Sequence, residues 1–438
     1  MLSGEKLNAM ALLTLLYWIG LSLLGLSLLI LFILYIRGIF RNRIEYQINN
    51  IPSPEEPRFP YALASLSNSL TSFGIVTDIW SEPDKIQKAR LEAIQSAQRS
   101  IHFETFLITP GRRANDFAAA VAERAAAGVR VQLLVDSYGA SDMPKKYWRR
   151  LRAAGVEIIT FNPFSWKSPS SYAGRTHRKL LLIDGQFVLM GGAGISDYWD
   201  GVPSFGDTQP WFDVEFRLEG AVVATLEGIF MQHWTAFHGL ADLRREIFDP
   251  QPSNKPLILV TPGHDPTYRS SSMRALFQTS ILAARKRVWL SSPYFIPDPG
   301  SRRLLIATKK RGVDVRIITD GICTDKKFVH YASYELYGEL LAAGIEILEH
   351  QPSMVHAKLL LIDDCWARTG SANFDPRSFF HNDELDFSTS EPRFVQHIEQ
   401  IFEQAFQRCQ PVSLSEWRTR SRRQRLVGGL VRFIQWQL

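Results

Sequence analysis

The stretch THRKLLLIDG at 176–185 returns, nearly residue for residue, as VHAKLLLIDD at 355–364. Each copy opens on His-x-Lys, runs through four aliphatic residues and stops at an aspartate. A short apolar run bounded by turn residues reads as a buried strand. Side chains on a strand alternate between faces. His177 and Lys179 therefore share one face, as do His356 and Lys358. Asp184 and Asp363, seven residues beyond each histidine, have the opposite parity and are expected to brace the strand ends. Asp184-Gly185 is a hairpin signal, and Asp363-Asp364 occupies the same place in the second copy. The return strand of the second copy carries Gly370, Ser371, Ala372 and Asn373, with Ser371 and Asn373 on one face. The first copy reads Gly191-Gly192-Ala193-Gly194 instead.

Outward from this pair, the rest of the chain also says the same thing twice. AIQSAQRSIHFETFLI (93–108) parallels ILAARKRVWLSSPYFI (281–296), a helix end running into a buried strand. AAAGVRVQLLVDSYG (125–139) parallels KKRGVDVRIITDGIC (309–323), and LRAAGVEIITFNP (151–163) parallels LLAAGIEILEHQP (340–352). Helices alternating with apolar strands predict an α/β sandwich with largely buried, mixed sheets. So long a period means a duplicated unit and not a solenoid. The expected layout is an N-terminal segment at 1–9, a transmembrane helix at 10–36 and a linker at 37–58. Two duplicated halves follow at 59–249 and 250–409, and a basic amphipathic tail at 410–438.

The anchor rests on Met10–Ile36, an apolar run without a charge and longer than the ~20 residues that cross a bilayer core. It lacks a small-x-small cleavage site, which speaks against a signal peptide. Arg37, Arg41 and Arg43 flank its C-terminal side, so the positive-inside rule places the bulk of the chain in the cytoplasm. From Ser415 onward there are six arginines against one acid, Glu416, and this tail carries most of the net charge of +6. The near-neutral body is poor footing for nucleic acid, which demands many cations. The tail suits an anionic membrane surface, with Trp417, Phe433 and Trp436 as interfacial anchors, or else a solvated helix end. Three scattered cysteines, Cys323, Cys365 and Cys409, form neither a disulfide framework nor a CxxC pattern.

His177, Lys179, Asp184, His356, Lys358 and Asp363 are the candidate catalytic residues. The two lysines, with Ser371 and Asn373, suit the non-bridging oxygens of a phosphate. One imidazole can attack phosphorus while the other protonates the leaving alcohol. A divalent metal is a poor competitor, because the lysine beside each histidine would repel it. No cofactor is expected.

In this order, these residues resemble the phospholipase D superfamily with its paired HKD motifs, and most closely the bacterial cardiolipin synthases. SSPYFIPD (291–298), HAKLLLIDDCWARTGSANFDPRSFFHNDE (356–384) and WFDVEFRLEGAVV (211–223) are similar to that subfamily. The resemblance implies two halves around one composite site and a metal-independent mechanism through phosphohistidine. It gives His177 as nucleophile and His356 as general acid. It also implies that Asp213 and Glu384, downstream of each motif, orient the imidazoles. The implied reaction joins two phosphatidylglycerols into cardiolipin and glycerol, with hydrolysis of the phosphodiester as the alternative. A superfamily nuclease is a more remote reading. The implied setting is the bacterial inner membrane, and this sequence offers one span where family members often have two. Gly194 departs from the pattern, since it stands where an asparagine is expected: either Arg178, a neighbour or a shifted backbone N–H compensates, or the substrate differs.

Overall fold

A computed structural model describes residues 2–36, 48–167, 172–237, 239–241, 254–264 and 271–433. The helix Leu2–Ile36 contains a 24-residue apolar segment, Leu12–Tyr35, none of it buried in protein. Such a segment reaches about 36 Å, more than the ~30 Å of a hydrocarbon core. Among the described residues it is the one helix long and apolar enough to cross a membrane. Residues 37–47, with Arg37, Arg41 and Arg43, and the expected join at 249/250 lie outside the described residues.

Two mixed sheets form the body, and seven strands of the second repeat those of the first in order. The first runs Ile75–Trp80, Glu215–Glu219, Phe187–Gly191, Leu180–Ile183, Ser100–Thr105, Arg130–Asp136, Glu157–Phe161. The second runs Leu257–Gly263, Asn382–Thr389, Trp366–Gly370, Leu359–Ile362, Arg287–Ser291, Asp314–Asp320, Glu346–His350. In each, the last three strands are parallel and the hairpin beside them is antiparallel. Alternation within the motif strands decides the layers. Leu180 and Leu182 join Leu359 and Leu361 in a central core with the helices Val222–Ala236 and Pro392–Phe406. Leu181 and Ile183 face the outer helices of the first half, and Leu360 and Ile362 those of the second.

Two expectations need correction. Residues 59–73 do not belong spatially to the first half. Helix Phe59–Ser67 packs Phe59 and Leu63 into the second half's outer core, and Leu70–Phe73 pairs with Leu257–Val260 at that sheet's edge. The C-terminal stretch is also no free tail. Cys409–Pro411 pairs with Leu348–His350, and the helices Leu414–Thr419 and Arg422–Phe433 lie on helix Lys327–Ala342. The Trp417 indole donates to the Tyr334 carbonyl at 2.7 Å, and Arg420 grips Glu335 through two bonds of 2.8 Å. Trp417 is thus spent on docking the segment and not on a bilayer. Trp436 and the side chain of Phe433 lie outside the described residues.

Candidate active site

Each motif histidine is stitched by its backbone to the opposite half. His177 N–H donates to the Asp383 carbonyl at 2.8 Å, and Arg175–Thr176 pairs in parallel with Asn382–Asp383. In the same way His356 N–H donates to the Phe212 carbonyl at 2.6 Å. The residue after each acceptor is the carboxylate that reaches the imidazole. Glu384 lies 3.0 and 3.1 Å from His177 Nδ1, and Asp213 lies 2.8 Å from His356 Nδ1. The pairing is therefore crosswise: each half supplies the carboxylate for the other half's histidine. A carboxylate on Nδ1 fixes the proton there and leaves Nε2 for chemistry.

The electrostatics treat these groups as one unit. Burial and the charges of Lys179, Lys358 and Lys326 hold His177 well below the usual histidine range. Burial and Lys358 bring His356 down to about 4, against the pull of Asp213. Burial alone would raise Asp213, but His356, Lys358 and the Trp199 hydrogen bond overcome it and leave the carboxyl at about 2. Glu384 goes the other way, pushed up to about 7 by burial despite Lys179 and the donors Ser371, Ser378 and Asn382. Burial depresses both lysines, Lys358 to about 8 and Lys179 to about 7, where the charge of Lys358 adds to the effect. The carboxylates of Asp213 and Glu384 only partly offset this, and two crowded buried lysines favour an anionic guest. Lys179 Nζ meanwhile donates to the His177 carbonyl at 2.6 Å, and Lys358 Nζ to that of His356.

A cleft of about 380 Å³ opens on this cluster. His177 and Asn373 line it, together with Tyr138, Lys326 and Phe328. Among the described residues Asn373 Oδ1 has no hydrogen-bond partner and Lys326 has no carboxylate within ion-pair distance. Lys326 sits 5.2 Å from the Tyr294 ring centroid instead.

Not every candidate joins the cluster. Asp184 and Asp363, grouped with the catalytic sets, stand at the far ends of their strands. Asp184 accepts from the amides of Gln98, Arg99 and Ser100, and Asp363 from those of Arg285, Lys286 and Arg287. Both take positive φ, at 55° and 52°, in the hairpin turns. They brace the fold. Ser371, expected on the phosphate, donates its hydroxyl to Glu384 and accepts from Leu385 N–H at 2.9 Å. It positions the carboxylate. Arg178 does not compensate for Gly194, since its guanidinium turns to the carbonyls of Glu384 and Gly263.

Where Ser371 backs Glu384, the other carboxylate, Asp213, is backed by a tryptophan, which sequence reasoning did not find. The Trp199 indole N–H donates to Asp213 Oδ2 at 2.9 Å, and its ring stands edge-on to His356 at 5.3 Å. A Cβ at Gly194 would lie 2.8 Å from the Leu107 carbonyl and 3.1 Å from the Trp199 ring, and one at Gly192 would lie 2.1 Å from Asp213. The glycines thus leave room for Asp213 and its indole donor. Trp211, stacked on His356 at 6.0 Å, was also missed. It stands two residues before Asp213, a spacing that puts both on one face of an extended segment.

A duplicated α/β body whose halves share one site of two His-Lys pairs, each imidazole backed by a carboxylate, defines the two-motif phospholipase D class. The family described as "Cardiolipin synthase, PLD-like domain" matches residues 91–198 and 278–406. A cardiolipin synthase of Geobacillus sp. (strain WCH70) is 31% identical over 353 residues, covering 79% of this chain and 69% of the relative. Cardiolipin synthase A of Pseudomonas fluorescens is 32% identical over 355 residues, 80% of this chain and 72% of the relative. In fold, the chain is similar to the crystal structure of a phosphatidylserine synthase from Haemophilus influenzae Rd KW20. The TM-score there is 0.66 at 12% identity, over 86% of this chain and 99% of that one. The chain belongs to the cardiolipin synthase family of phospholipase D-like proteins. It is a membrane protein and a phosphatidyltransferase of cardiolipin synthase-like function, acting on phospholipid.

Proposed function

We propose that the enzyme joins two phosphatidylglycerol molecules into cardiolipin and glycerol, at the surface of the bacterial inner membrane, with its catalytic body on the cytoplasmic side of a single span. The observation that carries the mechanism is the crosswise carboxylate–imidazole pairing over two buried lysines. His177, which faces the cleft and is held neutral, attacks phosphorus through Nε2. The bond from phosphorus to glycerol oxygen breaks, and the proton on His356 Nε2 passes to that oxygen. The hydroxyl of a second phosphatidylglycerol then attacks the phosphohistidine, returns its proton to His356 and frees His177. His356 needs that proton although burial and Lys358 disfavour it. A bound phosphodiester adds negative charge beside Lys179 and Lys358, so the cationic imidazole becomes tolerable beside ionised Asp213.

The residues around the cleft support a lipid acceptor. Tyr138 and Phe328, 59% and 48% exposed, stand at its mouth. Helix Arg422–Phe433 packs Val431 against Val329 of the cleft wall and exposes Leu426 and Leu430 among Arg422, Arg423 and Arg425. This is a basic, apolar face suited to an anionic headgroup layer. Reconstituted enzyme given phosphatidylglycerol vesicles is expected to release glycerol and accumulate cardiolipin. Phosphatidic acid as the main product would replace the synthase reading with the hydrolase.

A further inference from the structure

Asp383 and Glu384 are neighbours on one strand, so their side chains leave it on opposite faces. Glu384 serves His177. Asp383 meets a group that the transfer chemistry does not use. His233, in helix Val222–Ala236 of the first half, places Nε2 at 3.2 Å from Asp383 Oδ2 and 3.3 Å from His264 Nδ1. His264 follows the strand Leu257–Gly263 of the second half, and its Nδ1 is 3.8 Å from Asp383 Oδ2. All three ligand-capable atoms fall within 4.8 Å of one another.

We propose that His233, His264 and Asp383 form a binding site for a divalent transition metal, with zinc the closest match, that clamps the two halves together behind His177. Zinc binds imidazole and carboxylate at about 2.0–2.2 Å in a tetrahedron. The edges of such a tetrahedron are about 3.3–3.6 Å on the same bond lengths. The three separations bracket that range, so the metal needs only small shifts to seat.

The surroundings are also those of a metal ligand. His233 Nδ1 lies 2.8 Å from Glu104 Oε1, and a carboxylate on the far nitrogen is the usual support of a metal-bound imidazole. With the proton held at Nδ1, a metal would bind at Nε2, which faces the other two ligand atoms. His233 is fully buried and Asp383 nearly so, while His264 has 41% of its side chain exposed. That opening gives entry, and water can take the fourth position. Two imidazoles and one carboxylate select zinc or copper over magnesium or calcium, which prefer oxygen. Arg178 opposes a cation here, and the carboxylates of Glu104 and Asp383 offset it.

A clamp at this place acts on the motif itself. Asp383 accepts the His177 N–H through its carbonyl, and Glu104 accepts from the Thr176 hydroxyl. Pinning both carboxylates fixes the strand that carries the nucleophile.

The test uses full-length protein in detergent, stripped with chelator, dialysed against zinc chloride and assayed for bound metal. One equivalent of zinc and a raised thermal midpoint are expected, together with a tetrahedral spectrum for the cobalt-substituted protein. His264→Ala changes a partly exposed side chain, so it should fold with an unchanged far-ultraviolet spectrum but lose the zinc and the gain in midpoint. Glu104→Gln should weaken binding about 10–100-fold. If the wild type retains no stoichiometric zinc, or if His264→Ala retains as much, the site is only a hydrogen-bonded imidazolium between two carboxylates.

Discussion

Replacing Asp213 by asparagine tests the crosswise assignment of the two imidazoles. The substitution keeps the shape but removes the charge and one acceptor. Asp213 Oδ1 accepts from Val214 N–H at 2.9 Å, while Oδ2 receives both the Trp199 indole at 2.9 Å and His356 Nδ1 at 2.8 Å. An amide has one oxygen, so in either orientation its NH₂ must face a donor. The partners hold Asp213 at about 2 instead of 3.8. That difference is worth about 2 kcal/mol, on the order of tens-fold. The same factor is the expected fall in turnover if the carboxylate supports a cationic His356 at the transition state. The assay compares phosphatidylglycerol with a lipid ester of p-nitrophenol, whose leaving group departs without a proton. For Asp213→Asn most of the loss should vanish with the nitrophenyl ester. For Glu384→Gln, which disturbs the nucleophile, the loss should persist. The reverse pattern would refute the roles given to His177 and His356, and equal losses on both substrates would refute an acid role for either.

Other expectations follow from the same geometry. His177→Ala and His356→Ala should each abolish turnover, and quenched reactions with labelled lipid should show that only His177→Ala fails to form a phosphorylated enzyme. Gly194→Asn, which restores the family pattern, should harm the enzyme by forcing Trp199 off Asp213. Overpacking of this kind costs about 1–3 kcal/mol, measurable as a lower denaturation midpoint together with reduced turnover. The unfolded chain protonates His356 near 6.5 and the folded site only near 4. The stability this residue contributes is therefore complete above pH 6.5 and is lost as pH falls toward 4, by up to about 3 kcal/mol. Denaturant titrations of wild type and His356→Gln between these limits should differ in slope.

The repeat made the two sheets legible because its information is local. Alternation in Leu180–Ile183 and Leu359–Ile362 says which residues face each core, whatever packs there. The paired histidines and lysines were legible for the same reason. The crosswise pairing was not, since 207 residues separate His177 from Glu384 and 143 separate Asp213 from His356. No short-range pattern specifies which imidazole a distant carboxylate meets. Trp199 escaped notice because its value lies in a donor aimed at one oxygen, and a tryptophan reads first as bulk. The C-terminal segment misled in part because arginines beside apolar residues describe two surfaces equally well. Arg420 and Trp417 grip a helix, while Arg422, Arg423 and Arg425 on the next helix stay in solvent.

The crosswise stitching also explains why the duplication is kept as one chain. Each imidazole takes both its backbone acceptor and its orienting carboxylate from the other half, His177 from Asp383 and Glu384, and His356 from Phe212 and Asp213. A half standing alone would expose a histidine with no fixed tautomer beside a lysine with nothing to balance it. Buried carboxylates such as Asp213 and Glu384 would in turn lose the partners that make their burial tolerable. The interface and the active site therefore share these contacts. Forming one forms the other, and an amino-acid change there is read out in stability and in turnover together.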